Sequence, residues 1–167
     1  TYIKLGGSII TDKSKPKTPN FEKIKQFAQE IAEARKKTDN LIVICHGAGS
    51  FAHVPAALYK TKDGLTNERS KLGMAEVRKQ CIELNLIVIS ELIKAKIPAV
   101  TIEPFSIITT QNKKPYVYFD KAFSNCLLFD LVPVVYGDVI SDVEIGWTIL
   151  SGEQVLNKLA LSNLNDN

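Results

Sequence analysis

The chain has 167 residues, 45% hydrophobic and 23% charged, with a net charge of +3 at neutral pH. That length buries one substantial core, so a single domain of ordinary soluble globular composition is expected. The slight positive charge is spread along the chain with no polybasic arm or basic-aromatic ladder, which argues against nucleic acid as a partner. No apolar stretch approaches the roughly 20 residues that span a bilayer, which argues against a membrane. Cys45, Cys81 and Cys126 are odd in number, far apart and each inside an apolar run. They fit reduced core thiols of a cytoplasmic protein better than a disulfide frame or a zinc site, so no metal site is expected. The chain opens on a strand-like run with neither a secretory signal nor an initiator Met, which suggests processing or trimming.

Ile3, Lys4 and Leu5 read as a strand ending in Gly6-Gly7. Asn20 suits an N-cap, and Phe21, Ile24, Phe27, Ala28 and Ile31 fall on one helix face. The run 41–45 is unbroken apolar, as a strand buried in a parallel sheet requires. Residues 60–69 are the most charged stretch and read as an exposed loop entering a long helix, whose Val77, Cys81, Leu84, Val88, Leu92 and Ala95 repeat by three or four. Pro98 ends that helix and 99–102 resumes a strand. A short helix is expected over 120–129, a strand over 131–135 running into Tyr136-Gly137-Asp138, and hairpin arms at 140–142 and 147–149. A last helix covers 153–161, and 162–167 is a polar, featureless end. Strands alternating with helices in this order predict an α/β fold, a sandwich with a mostly parallel sheet.

Three strands end in turns rich in small residues: Gly6-Gly7-Ser8, Gly47-Ala48-Gly49-Ser50 and Gly137-Asp138. Open α/β sheets bind ligands at such strand ends, where backbone N–H groups without a bulky Cβ can surround a phosphate and a following helix adds its positive end. Lys4, in an apolar strand directly before the glycines, is either an edge-strand lysine reaching water or a point charge for phosphoryl oxygens. Lys13 sits in a polar loop and by composition alone is solvated. The two histidines flank one turn. His46 ends a buried strand and can be a core histidine, whereas His53, a helical turn or two beyond the glycines, can donate to a phosphate. Ser50 lacks the Gly-x-Ser-x-Gly elbow of a nucleophile. Asp138 can cap a turn or orient a lysine. Ser151 and Glu153 suit a helix N-cap and its first turn, and Gly152 is a candidate phosphate contact.

The segments Lys4-Leu5-Gly6-Gly7-Ser8 with Ile10-Thr11-Asp12-Lys13-Ser14, His46-Gly47-Ala48-Gly49-Ser50-Phe51-Ala52-His53, and Tyr136-Gly137-Asp138-Val139 with Gly146-Trp147-Thr148-Ile149-Leu150-Ser151-Gly152 together resemble the amino acid kinase superfamily, and within it the isopentenyl phosphate kinases. The resemblance implies a three-layer αβα sandwich and ATP-dependent phosphorylation of isopentenyl phosphate to isopentenyl diphosphate in isoprenoid biosynthesis, with Mg²⁺ bridging the phosphates. It implies that Lys4, Leu5, Gly6, Gly7 and Ser8 line the nucleotide phosphates, with Gly49 contributing its N–H. Lys13 would stabilise the transferring phosphoryl group, with Lys4 and His53 beside it in the catalytic set. Ala48, His53 and Gly152 would hold the acceptor phosphate, one face of the long helix would receive the isoprenoid tail, and the protein would be a cytoplasmic homodimer.

Departures from the pattern are Ala48 and Ala52 where glycine is common, the first acceptable if its φ is negative, and Glu153 where Asp is usual. Residues 1–167 would form the N-terminal acceptor-binding lobe of an amino acid kinase-like domain, with the C-terminal nucleotide lobe absent from this chain. A fosfomycin-kinase-like or other small-molecule phosphotransferase, or a non-catalytic ligand-binding module, are the alternatives. A dinucleotide-binding fold is disfavoured because no Gly-x-Gly-x-x-Gly follows the first strand.

Overall fold

A computed structural model of the chain describes residues 1–119 and 121–165. Among these, eight strands form two four-stranded sheets. In the first, β1 (Tyr2–Leu5), β2 (Val43–His46), β6 (Val132–Tyr136) and β3 (Ala99–Thr101) lie in the order β1-β2-β6-β3, all parallel. Ile42 and Ile44 face α2 (Phe21–Arg35) and α4 (Glu68–Lys94), while Val43 and Cys45 face α6 (Lys121–Leu128) and α7 (Gly152–Asn165). A strand covered on both faces shows no polar alternation, which explains the apolar run over 42–45; the strand itself is Val43–His46, later than the expected 41–45, and Leu41 is exposed. The expected three-layer αβα sandwich is therefore present.

The helices form where their caps and faces require. Asn20 Oδ1 accepts from the Lys23 N–H at 3.2 Å, and Ile24, Ala28 and Ile31 of α2 are buried. At the start of α4, Asn67 Oδ1 accepts from the Ser70 N–H at 3.0 Å and Ser70 Oγ from the Asn67 N–H at 3.1 Å, a reciprocal capping box. That cap starts α4 within the stretch read as an exposed loop, and a 3₁₀ turn at Thr61–Asp63 with Thr61 fully buried corrects that reading further. The short helix occupies Lys121–Leu128, and Asp120, where it was expected to begin, lies outside the described residues. The last helix, α7, continues to Asn165, so the featureless end expected from 162 onward is helical that far; Asp166 and Asn167 lie outside the described residues.

The second sheet is mixed, in the order β5 (Lys114–Tyr118), β4 (Ile108–Gln111), β7 (Asp138–Asp142), β8 (Gly146–Leu150). The β7–β8 hairpin was expected with shorter arms; β4–β5 was not. Its turn, Asn112-Lys113, has φ of 47° and 65°, the primed geometry that matches strand twist. Asp142 ties both turns together. Its carboxylate accepts from the N–H groups of Lys113 (2.7 Å), Asn112 (3.2 Å), Glu144 (3.0 Å) and Ile145 (3.1 Å), and Thr110 Oγ1 lies 2.9 Å away. Burial raises this carboxyl, but the N–H groups of Lys113, Glu144 and Ile145 with the Thr110 hydroxyl outweigh it and hold it at about 2. A depressed carboxyl contributes stability above its unfolded value, lost as pH falls through the folded one. Asp142→Asn should lower unfolding free energy at pH 7 by about 2 kcal/mol and flatten the loss of stability between about pH 4 and pH 2, read by urea melts across that range.

Candidate active site

The carboxyl ends of β1, β2 and β6 emerge at one edge of the parallel sheet, and the turn from β8 into α7 folds back against them. There the main chains touch directly. A Cβ on Gly7 would lie 2.6 Å from the Gly49 nitrogen, and one on Gly137 would lie 2.9 Å from the Gly152 nitrogen. Gly49 has a φ of +52°, so it is required on conformational grounds as well. Thr11 bolts the first pair in place: its hydroxyl donates to the Gly7 carbonyl at 2.7 Å and accepts from the Ser50 N–H at 2.9 Å. Ala48, where glycine is common, has a φ of −74°, so its methyl is accommodated.

Between these turns lies a cavity of about 450 Å³. Lys4, Gly6, Gly7, Ser8, Lys13, Ala48, Gly49, His53 and Gly152 all line it. Leu5, the remaining candidate, does not; its side chain is 3% exposed in the core and its carbonyl accepts from the Gly47 N–H at 3.1 Å. Strand alternation explains the difference, since a neighbour of Lys4 on β1 points to the other face.

Lys4 has the edge-strand exposure of one reading, its side chain 35% exposed, and a place at the cavity that the other requires. Its ammonium is ion-paired with Glu153, and the hydrogen bond from Lys4 holds the Glu153 carboxyl below its usual range. Glu153 thus does more than complement the helix dipole. The cap of α7 is reciprocal: the Ser151 N–H donates to Gln154 Oε1 at 2.9 Å, and Ser151 Oγ accepts from the Gln154 N–H at 3.3 Å. The loop carrying Lys13 is pinned by the Ser14 N–H to Asp12 Oδ1 at 2.8 Å and by the Lys17 N–H to the Ser50 carbonyl at 3.3 Å. His53, on α3 (Gly49–Leu58), is exposed at the same cavity.

His46 is a core histidine. It is fully buried, stacked on Tyr136 at 5.4 Å, with Nδ1 3.1 Å from the Gly47 carbonyl and Nε2 3.2 Å from Asn85 Oδ1. Burial depresses its basicity, so the ring is neutral. A neutral ring donates once, so both contacts are satisfied when the Asn85 amide turns its NH₂ toward Nε2. Ser50 is 4% exposed and accepts from the Thr18 N–H at 3.2 Å, a structural role.

The other wall of the cavity is apolar: Ala52 and Ala56 from α3, Val77 and Cys81 from α4, and Ile149 from β8. All three cysteines are buried and free. Burial pushes the Cys45 thiol up to about 12 and raises Cys81 as well, so neither is a thiolate at neutral pH. Asp138 also lines the cavity, and its partner is Arg78, a residue the sequence did not single out, where a lysine was one expectation. Arg78 Nη1 donates to Asp138 Oδ2 at 2.5 Å and Nη2 to Glu103 Oε2 at 2.6 Å. Burial pushes the Asp138 carboxyl up to about 7 although the guanidinium opposes it. The signal was available: Met74, Arg78, Cys81 and Asn85 repeat at four, three and four, placing an arginine on a core-facing stripe. Among the described residues no three His, Cys, Asp or Glu side chains gather to hold a metal.

The amino acid kinase family model matches residues 2–162. The chain is 32% identical to an isopentenyl phosphate kinase of Methanocaldococcus jannaschii, over 96% of this chain and 64% of that protein. It is 31% identical to one from Arabidopsis thaliana, over 86% of this chain and 44% of that protein. A crystal structure of isopentenyl phosphate kinase superposes with a TM-score of 0.91 at 30% identity, covering 98% of this chain and 67% of that one. An aspartate kinase from Synechocystis shares the fold, with a TM-score of 0.67 at 15% identity. The chain spans under two thirds of the length of the curated relatives it matches. With the family model covering nearly every residue, and the glycine turns meeting at the strand ends as described, the chain belongs to the amino acid kinase family.

Proposed function

We propose that residues 1–167 form the acceptor-binding lobe of an ATP-dependent kinase that converts isopentenyl phosphate to isopentenyl diphosphate. The observation that carries this is the two-sided chemistry of one cavity. Lys4, Lys13, His53 and the N–H-bearing glycine turns line one part of it, and Ala52, Ala56, Val77 and Ile149 line another. An acceptor that is anionic at one end and hydrocarbon at the other meets both. Each buried methylene-sized group would add about 0.8 kcal/mol of affinity, which favours an isoprenoid over a compact phosphonate. The names of the similar proteins support the same acceptor.

In this reading Gly6, Gly7, Ser8 and Gly49 would receive the nucleotide phosphates, and Ala48, Gly152 and His53 the acceptor phosphate. Phosphoryl transfer depends on positioning and on neutralising charge that spreads over the transferring oxygens. Lys13 would supply that charge, with Lys4 held in place by Glu153. The donor set fits Mg²⁺ only as an ion carried by the phosphates, which it would bridge and partly neutralise. A lobe completing the nucleotide site would lie in sequence beyond this chain. Among the described residues no helix is long and apolar enough to cross a membrane, and the buried free thiols suit the cytoplasm; sedimentation would test the homodimer that this reading includes.

ADP release by the full-length protein on addition of isopentenyl phosphate tests the assignment, and no turnover of that acceptor would overturn it. Within it, His53→Ala should weaken isopentenyl phosphate binding by roughly 1.5–3 kcal/mol, the worth of a charge-assisted hydrogen bond, as measured by calorimetry. Lys13→Ala should instead lower kcat by about a hundredfold or more while acceptor affinity stays within about twofold, measured by steady-state kinetics beside the same titration.

A further inference from the structure

Arg78 is a cation that the proposed chemistry does not use. It stands on α4 between Val77 and Cys81, both lining the cavity, with its own side chain 20% exposed. Its two carboxylate partners come from different elements. Glu103 caps α5 (Pro104–Ile107) and Asp138 opens β7. The guanidinium lies 4.2 Å from the centre of the Phe105 ring, which stacks on Trp147 of β8 at 5.1 Å. Asp138 Oδ1 also accepts from the Val139 N–H at 2.8 Å, and the carboxylate is bonded by the Phe105 N–H. Across the β7–β8 ladder Asp138 pairs with Leu150, two residues before Gly152. One side chain therefore joins α4 to β7 and to the start of α5, and through Phe105 it reaches β8, beside the cavity that Val77, Cys81 and Asp138 line.

We propose that Arg78 is a positioning residue for the acceptor site, tying Asp138 to Glu103 and so setting the distance between the α4 wall and the Gly152 turn. This rests on the acceptor reading given above. A guanidinium suits the task because its planar fork bonds two carboxylates while lying flat on a ring, and an ammonium can do only part of this. Shortening the fork lets β7 and β8 move away from α4, and both the acceptor phosphate contact at Gly152 and the fit against Val77 and Cys81 loosen together. The nucleotide turns at Gly6-Gly7 and Gly49 hang on β1, β2 and Thr11 and stay in place.

Trp147, the single tryptophan of residues 1–167, stacks on the ring that Arg78 covers and reports on the clamp without any ligand once any tryptophan elsewhere in the full-length protein is replaced by Phe. The experiment compares full-length wild type, Arg78→Lys and Glu103→Gln by Trp147 emission and by titration with isopentenyl phosphate and with ADP. Expected for Arg78→Lys are a red-shifted Trp147 emission, acceptor Kd raised by about tenfold or more, and ADP Kd within about twofold. Glu103→Gln, which leaves Asp138 paired, should move both readouts the same way by a smaller amount, and it decides the matter if Arg78→Lys does not fold. Unchanged acceptor Kd with wild type binding normally would overturn the proposal. So would equal weakening of acceptor and ADP, the mark of a general loss of structure. If wild type itself does not bind isopentenyl phosphate, the acceptor reading fails instead, and unchanged Trp147 emission in both variants would overturn the clamp separately.

Discussion

Direct contact between main chains at the strand ends is the constraint on which the rest of this structure depends. Gly7 against Gly49 and Gly137 against Gly152 leave no room for a Cβ. Side chains at these positions would hold the four turns apart, and the lysines and N–H groups converging on the cavity would be dispersed over a wider surface. The parallel sheet brings the turns to one edge because its strands all end there. The glycines then let them close to the spacing that a phosphate, with oxygens on all sides, can bridge. Fold and site are therefore one problem for this chain. Substitutions that open the turns would be felt in packing and in ligand binding together.

Charge is distributed unequally around that constraint. The most buried ionisable groups in and around the cavity are neutral or compensated: His46 is a neutral ring, Cys45 and Cys81 keep their protons, and Asp138 has Arg78 beside it. Lys13, with no carboxylate paired to it among the described residues, and the exposed His53 stand at the rim, where water can solvate them until a ligand arrives. Unpaired charge in the interior would carry a desolvation penalty with no return before binding. Lys4 is intermediate. Glu153 holds it aimed without burying it, so the ion pair is an orienting device more than a source of stability.

Much of this was legible in the sequence because strong local signals and tertiary demands agreed. The apolar run before His46, the Asn20 cap and the periodic face of α4 each have one reading, and the structure contains each, the strand beginning two residues later than expected at Val43. The residues singled out in the sequence do gather around one cavity, apart from Leu5, where a motif read as a block obscured the alternation that turns one of its members inward. What escaped notice was held by long-range contacts. The β4–β5 hairpin has a β-prone arm on each side, but its turn is Asn-Lys in place of the usual Asn-Gly, and Pro115 interrupts the second arm. That turn is stabilised from elsewhere in the chain, by the Asp142 carboxylate accepting from Asn112 and Lys113. Arg78 escaped for a similar reason. The helical repeat around 78 marks an arginine on the core-facing stripe, but its partners at 103 and 138 are far along the chain and the repeat does not name them.

Cys45 and Gly152 have a consequence for how this sequence can change over time. The sulfur lies 3.2 Å from the Gly152 carbonyl, and a Cβ on Gly152 would sit 2.8 Å from that sulfur. The two positions, on β2 and at the start of α7, occupy one volume between them. A lineage that enlarges residue 45 has no room to do so unless 152 stays without a side chain, and one that adds a methyl at 152 must first make room at 45. Drift at one site is thus conditional on the other, and the order in which such replacements occur is fixed by volume: the shrinking step precedes the growing one.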